Sequence, residues 1–119
     1  MDPALDPGEP HRPDARFPRK RRLRKKEEYD RVFMEGRRVH DPSATVLWAP
    51  NDLAWSRLGL IAGRKTGTAV RRNRARRVFR EAFRLGEGGL PGGYDYVVVL
   101  RRRAERWSRA DAARVLREV

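Results

Sequence analysis

The residues best suited to chemistry lie in one arginine-rich segment, residues 64–84, with the sequence RKTGTAVRRNRARRVFREAFR. The planar guanidinium of arginine can hold a phosphate with two hydrogen bonds and can stack on an unstacked base. A segment of this composition therefore predicts the binding of a phosphate polyanion, with RNA as the leading partner.

A helix over this segment would have two distinct faces, because each residue turns the chain by about 100°. The apolar arc comprises Ala75, Val78, Phe79, Ala82 and Phe83, and the opposite arc comprises Asn73, Arg74, Arg76, Arg77, Arg80, Glu81 and Arg84. Solvated helix faces usually mix charges of both signs, since like charges at i,i+4 destabilise a helix. The pattern favours a ligand-binding face, with a merely solvated face as the alternative. Arg71 and Arg72 fall in the first turn, where the positive helix end also attracts phosphate.

Three aromatic side chains could add a stacking surface beside these cations. Tyr29 and Phe33 are spaced i,i+4 on a predicted helix, and Trp48 lies on a predicted strand. Aromatic pairs at this spacing most often belong to a core, yet surfaces that bind single-stranded nucleic acid also combine aromatics with cations. The sequence leaves both interpretations open for all three residues.

Motifs for catalysis are weak throughout the chain. Residues 86–89 precede a predicted strand instead of following one, and residues 63–66 lack the order of a phosphate-binding P-loop. His40 and Asp41 have no nucleophile in a suggestive setting, and the carboxylates are too scattered to suggest a two-metal site. We therefore expect neither catalytic nor metal-binding residues in the protein itself.

Composition supports a polyanionic partner. The 119 residues include 29 Lys and Arg against 16 Asp and Glu, for a net charge of +13. Nucleic acid fits this excess best, because neutralised phosphates release condensed counterions. A membrane surface fits less well, since no helix is rich in Trp, Phe and Leu on one face. The sequence has no cysteine, no run of 18 apolar residues and no signal-peptide pattern, so a cytoplasmic location is expected.

The predicted elements alternate between helix and strand. Residues 1–18 are acidic and proline-rich and are predicted to be a disordered extension, which leaves residues 19–119 as one domain. Helices are predicted at residues 25–35, at residues 69–85 and from Ser108 onward, where Asp111 completes an approximate capping box. Strands are predicted at residues 45–48, 57–62 and 94–100, with a short edge strand near Val39. The last of these strands reads as a central one. The order predicts a small α+β protein, an α/β sandwich.

The arginine-rich segment closely resembles the protein component of bacterial ribonuclease P. That family carries the pattern R/K-K-x-G-x-A-x-x-R-N-R/K-x-K/R-R-x-x-R-E/Q-x-F/Y, and residues 64–83 meet every fixed position. Flanking residues extend the resemblance over about residues 19–119: residues 22–36 look like the family's opening helix, residues 57–59 like its central strand and residues 94–99 like its last.

The resemblance implies an α-β-β-β-α-β-α fold, like that of a ribosomal protein domain, with a left-handed βαβ crossover in place of the usual right-handed one. It also implies an activity. The protein would be a subunit of the ribonucleoprotein that removes the 5′ leader from precursor tRNA, with catalysis by the RNA subunit and Mg²⁺ bound mainly by that RNA. The implied partners are the ribonuclease P RNA and precursor tRNA, without DNA or a membrane.

The resemblance also assigns residues to two sites. The leader-binding cleft would use Tyr29, Phe33 and the strand position at Leu47 or Trp48. The surface for the RNA subunit would comprise Arg64, Lys65, Arg71, Arg72, Asn73, Arg74, Arg76, Arg77 and Arg80. The alternative function is that of a non-catalytic ribosomal or RNA-chaperone protein with the same fold and charge.

Overall fold

The computed structural model describes residues 19–41, 43–63, 66–86, 89–101 and 107–117. The predicted disordered extension, residues 1–18, lies outside these ranges. After a single 3₁₀ turn (Arg19–Arg21), the elements are α1 (Lys26–Glu35), β1 (Arg37–His40), β2 (Ala44–Pro50), β3 (Arg57–Ala62), α2 (Ala69–Arg84), β4 (Tyr94–Leu100) and α3 (Arg109–Arg117). This order confirms the predicted α-β-β-β-α-β-α arrangement.

The four strands form one mixed sheet in the order β1-β2-β4-β3. β4 lies between β2, to which it is antiparallel, and β3, to which it is parallel. Its nearly continuous apolar sequence suits this central place, because both of its faces are covered. The parallel pair is joined through α2 and forms the predicted βαβ unit, whose left-handedness remains an expectation from the family.

The sheet separates two apolar clusters. On one face, α2, α3 and the residue Trp107 that precedes α3 pack against strand residues that include Tyr96 and Val98. The α2 side chains in this cluster include Phe79 and Phe83. On the other face lies a smaller cluster of Leu23, Val32, Leu47, Ala49 and Val97. Successive strand residues point to opposite faces, so each strand contributes to both clusters.

Helix α1 is tied to the sheet by a buried ionic network around Asp95, which has no exposed surface. Its carboxylate accepts hydrogen bonds from Arg57 Nε at 2.8 Å, Arg57 Nη2 at 2.7 Å and Arg31 Nη2 at 2.6 Å. Asn51 Nδ2 donates a further one at 2.9 Å. Arg57 Nη1 in turn lies 2.6 Å from Glu28 Oε2. Two residues of α1, Glu28 and Arg31, are thereby fixed above the strands.

The helix ends follow the sequence closely. Ser108 and Asp111 form the predicted capping box at α3: Asp111 N donates to Ser108 Oγ, and Ser108 N donates to Asp111 Oδ2, both at 3.2 Å. α2 ends at Arg84, close to the predicted position, and Gly86 after it adopts a φ of 70°. Within the described ranges, no helix is both long and apolar enough to cross a membrane.

Candidate nucleic-acid interface

Helix α2 has the two faces that its periodicity predicts. Ala75, Phe79, Ala82 and Phe83 are buried in the core. The cationic side chains lie opposite them: Arg71, Asn73, Arg74 and Arg77 are exposed, and Arg72, Arg76 and Arg80 are partly buried. Arg64 and Lys65, which were predicted to belong to the same surface, lie outside the described residues.

An acidic side chain, Glu81, lies at one end of this surface. Among the described residues, the ion pair within α2 joins Arg84 Nη2 to Glu81 Oε1 at 2.6 Å, near the C-terminal end. Arg76 Nη1 instead donates to Asn73 Oδ1 at 3.0 Å, which orients the guanidinium without cancelling its charge. The exposed guanidinium groups of Arg74 and Arg77 lie in the central turns of α2, away from this ion pair.

Positive charges lie close together around Arg80. Burial lowers the pKa of Arg80, and the charges of Arg22 and Arg76 lower it further, whereas Tyr29 opposes them. A guanidinium is so strongly basic that Arg80 stays protonated near neutral pH despite this lowering of its pKa. Like charges held together in this way are stabilised when an anion binds between them.

The second predicted site lies across the other face of the sheet, beside α1. The Tyr29 hydroxyl donates to the carbonyl oxygen of Leu23 at 3.2 Å, and its ring lies against Gly59. A Cβ at position 59 would approach that ring to 2.6 Å, so glycine there gives the ring its place. Phe33 follows one turn later and is 37% exposed, which leaves part of its ring open to solvent.

The strand position of the cleft is decided by the sheet register. Leu47 pairs with Val97 and lies buried in the cluster beneath α1. Trp48, the next residue, pairs with Tyr96 and packs against the core on the α2 and α3 side. The structure therefore excludes Trp48 from a cleft bounded by Tyr29 and Phe33, because adjacent strand residues point to opposite faces.

Two residues that the sequence analysis did not single out form the open floor of this cleft. Ile61 and Val99 pair across β3 and β4, pack against the α1 cluster and remain partly exposed. Leu47 and Val97, by contrast, are fully covered. Alternate residues of β4 share one face of the sheet, so Val99 could have been assigned to the cleft once one β4 residue was known to face α1. The sequence, however, does not show which face α1 covers. We call this surface, with Tyr29 and Phe33 as its wall and Ile61 and Val99 as its floor, the α1 cleft.

The two predicted sites meet at the β3 edge of the sheet. Burial raises the pKa of Tyr29, and the positive charges of Arg80 and Arg76 oppose that rise. These side chains therefore lie close enough for their charges to act on the tyrosine hydroxyl, although α2 and α1 occupy opposite faces of the sheet. The tyrosine end of the α1 cleft and the cationic face of α2 are consequently neighbours at this edge.

Among the described residues, no group of three or more His, Cys, Asp or Glu side chains is placed to hold a metal ion. His40, considered above for catalysis, is exposed, and its Nδ1 lies 3.1 Å from Thr45 Oγ1.

The chain is similar in sequence to proteins of one family. The family model described as Ribonuclease P matches residues 17–119. The ribonuclease P protein component of Thermotoga maritima is 40% identical over 96 residues, which cover 80% of this chain and 82% of that protein. The corresponding protein of Syntrophobacter fumaroxidans is 42% identical over 106 residues, with coverage of 88% and 89%.

Solved structures agree with the sequence comparisons. The RNase P protein from Thermotoga maritima superimposes with a TM-score of 0.70 at 34% identity, covering 82% of this chain and 96% of that one. The Staphylococcus aureus RNase P protein gives a TM-score of 0.71 at 26% identity, with coverage of 83% and 91%.

Proposed function

The chain belongs to the ribonuclease P protein family, and on that premise we propose that α2 binds the catalytic RNA while the α1 cleft binds the 5′ leader of precursor tRNA. As a member of that family it is a subunit of the endoribonuclease that processes tRNA. What we propose is which residues bind the RNA subunit and which bind the leader.

The observation that carries this division is the nearness of the two surfaces at the β3 edge. The charges of Arg76 and Arg80 in α2 lie near enough to the Tyr29 hydroxyl in α1 to oppose the rise of its pKa by burial. A leader strand entering the cleft at this edge would therefore pass directly from the RNA-binding helix to the aromatic wall. Such an arrangement suits a protein that contacts a catalytic RNA and its substrate at the same time.

The α2 surface suits the RNA subunit because it presents several guanidinium groups along one helix. Arg74 and Arg77 are exposed and Arg76 is held by Asn73, so phosphates can be bound at several points along one helix. We assign the same role to Arg71, Arg72 and Arg80, and to Arg64 and Lys65 on the family pattern alone.

The α1 cleft suits a single strand because it combines a partly open aromatic ring with an apolar floor. A base can stack on Phe33 while its neighbour lies over Ile61 and Val99, and such stacking tolerates any base. Leu47 supports the floor from below, since it is buried. Mature tRNA lacks the leader, so this cleft distinguishes precursor from product.

Mg²⁺ enters this proposal as an ion of the RNA subunit. The ions would be bound mainly by the RNA subunit, and we assign none of them to carboxylates of this chain. The cationic face of α2 would neutralise RNA phosphates and so lessen the RNA's demand for free Mg²⁺. We also propose that the protein acts in the cytoplasm, which its cysteine-free composition suits.

Reconstitution tests the proposal directly. Mixing the chain with ribonuclease P RNA and precursor tRNA at low Mg²⁺ is expected to stimulate leader removal over the RNA alone, as measured by the 5′-leader fragment released. A chain with Arg74, Arg76 and Arg77 all changed to alanine is the control, and we expect it to give much weaker stimulation. Equal rates with and without the native chain would refute the proposal.

The runner-up function, an RNA chaperone or ribosomal protein, predicts a different outcome of the same experiment. Such a protein would bind many RNAs through α2 but would not separate precursor from mature tRNA. The family assignment favours the first function.

The salt dependence of assembly tests the role of individual arginines. Changing Arg76 to alanine is expected to weaken binding to the ribonuclease P RNA. It should also make the slope of log K against log salt shallower by about one unit, because one phosphate contact is lost. The measurement is a filter-binding titration at several salt concentrations.

Arg84 provides the matched control on the same helix, because Glu81 already compensates its charge. Changing Arg84 to alanine is expected to leave the slope unchanged. If both variants shift the slope equally, the effect belongs to net charge and not to a contact made by Arg76.

A further inference from the structure

Strand β1 places two unassigned side chains on the face of the sheet that carries the α1 cleft. Arg38 pairs with Leu47, and His40 pairs with Thr45. Since directly paired residues point to the same face, Arg38 and His40 lie on the side of Leu47, whereas Arg37 and Val39 lie on the side of Trp48. β1 is an edge strand, so these two side chains border the cleft at the edge opposite α2.

Arg38 adjoins the aromatic wall directly. Its Nη2 lies 3.4 Å from the carbonyl oxygen of Phe33, at the C-terminal end of α1. The side chain is exposed, and the ion pairs formed among the described residues do not include it. Its charge is therefore presented to solvent beside the partly open Phe33 ring.

His40 lies one paired position further along the same face. It is exposed, and its hydrogen bond with Thr45 Oγ1 holds the ring next to the open end of the floor. Thr45 pairs with Val99, so the row from β1 to β3 runs His40, Thr45, Val99 and Ile61. His40 thus lies at the β1 end of the row of residues that forms the cleft floor.

Cationic groups consequently stand at both edges of the cleft. Three strand spacings separate β1 from β3, a width of about 14 Å. Arg76 and Arg80 lie at the β3 edge near Tyr29, and Arg38 lies at the β1 edge near Phe33. A short stretch of single strand can cross this width with its bases over the floor and its phosphates at the two edges.

We propose that Arg38, flanked by His40, binds a leader phosphate at the β1 edge and so fixes the exit of the leader from the α1 cleft. The inference rests on the proposed leader-binding function and adds residues to it that lie outside the arginine-rich segment. The competing role for Arg38 is structural, because a cation at a helix C-terminus stabilises that helix.

The neighbouring arginine supplies the experiment's control. Arg37 and Arg38 are both exposed residues of β1, and they point to opposite faces. In the holoenzyme reconstituted with ribonuclease P RNA, Arg38→Ala is expected to weaken precursor tRNA binding about two- to fivefold, as for one solvent-exposed ionic contact. Binding of mature tRNA should stay the same, and Arg37→Ala should change neither.

Shortening the leader locates the contact. The loss caused by Arg38→Ala should vanish for a leader too short to cross the sheet, while the effect of Phe33→Ala on that short leader should remain. Arg38→Lys should restore most of the affinity, since it retains the charge. Equal effects of Arg37→Ala and Arg38→Ala, or a loss independent of leader length, would overturn the proposal.

Two other outcomes separate the possible failures. If Arg38→Ala lowers the melting temperature of the free protein and weakens precursor and mature tRNA equally, Arg38 only supports α1, and the inference fails while the cleft stands. If Phe33→Ala also leaves precursor binding unchanged, leader binding by the α1 cleft fails and this inference fails with it.

Discussion

Replacing Asp95 with alanine is expected to lower the free energy of unfolding by about 3–5 kcal/mol, the cost of breaking a buried ion pair by removing one partner. Asp95 has no exposed surface and accepts from both Arg57 and Arg31. Its loss leaves two guanidinium groups facing each other without their shared counter-charge. Urea or thermal unfolding of the free protein measures the change.

Asp30→Ala is the control for that variant. Asp30 pairs with Lys26 at 3.2 Å on the exposed side of α1, where its side chain is 50% exposed. An exposed i,i+4 pair contributes only about 0.3–0.5 kcal/mol, so this change should be nearly neutral. Similar losses for both variants would mean that the Asp95 network adds little to stability.

The contribution of the Asp95 carboxylate should also appear in the pH dependence of the free energy of unfolding. Burial alone would raise the pKa of Asp95, but hydrogen bonds from Arg57 and Asn51 and the charge of Arg57 lower it overall from 3.8. Because the folded state has the lower pKa, the contribution of Asp95 is present above pH 3.8 and is lost as the pH falls through its folded-state pKa. The alanine variant should lack this part of the acid-induced loss.

Replacing Phe33 with alanine is expected to weaken precursor tRNA binding by the holoenzyme by about 1–3 kcal/mol, the range for loss of one stacked base. That range corresponds to a loss of roughly five- to 150-fold in affinity. Mature tRNA has no leader to stack, so its binding should not change. Parallel titrations of the holoenzyme with the two tRNAs measure the difference.

Met34 is the matched control for Phe33. It is the next residue of α1, also apolar, and 86% exposed. Met34→Ala should affect neither tRNA. If Phe33→Ala weakens both tRNAs equally and lowers the melting temperature, the ring belongs to the fold and the leader is bound elsewhere.

Substituting Tyr29 with alanine is a less specific test of stacking than substituting Phe33. Its hydroxyl bonds to Leu23 and its ring fills the space above Gly59, so alanine there would disturb α1 as well as any stacking. The structure thus separates two aromatics that the sequence treats alike. Phe33 tests stacking, whereas Tyr29 combines stacking with support of the helix.

Local sequence determined the α2 surface almost completely. A helix repeats every 3.6 residues, so the positions of Phe79 and Phe83 on one side fix Arg74 and Arg77 on the other without reference to the remaining chain. The capping box at Ser108 and the order of elements follow for the same reason, since each depends on residues close in sequence. The family pattern is equally local, because it lies within residues 64–83.

The tertiary structure alone decided what lies beside these elements. Asp95 is hydrogen-bonded to Arg57, 38 positions away in sequence, and to Arg31, 64 positions away. No local sequence pattern predicts either pairing. The choice of Leu47 over Trp48 for the cleft side depended on which sheet face α1 covers. Likewise, Tyr29 and Arg80 come together only because α1 and α2 reach the same sheet edge from opposite faces. Helix periodicity fixes directions within one element, but contacts between elements depend on strand register and packing.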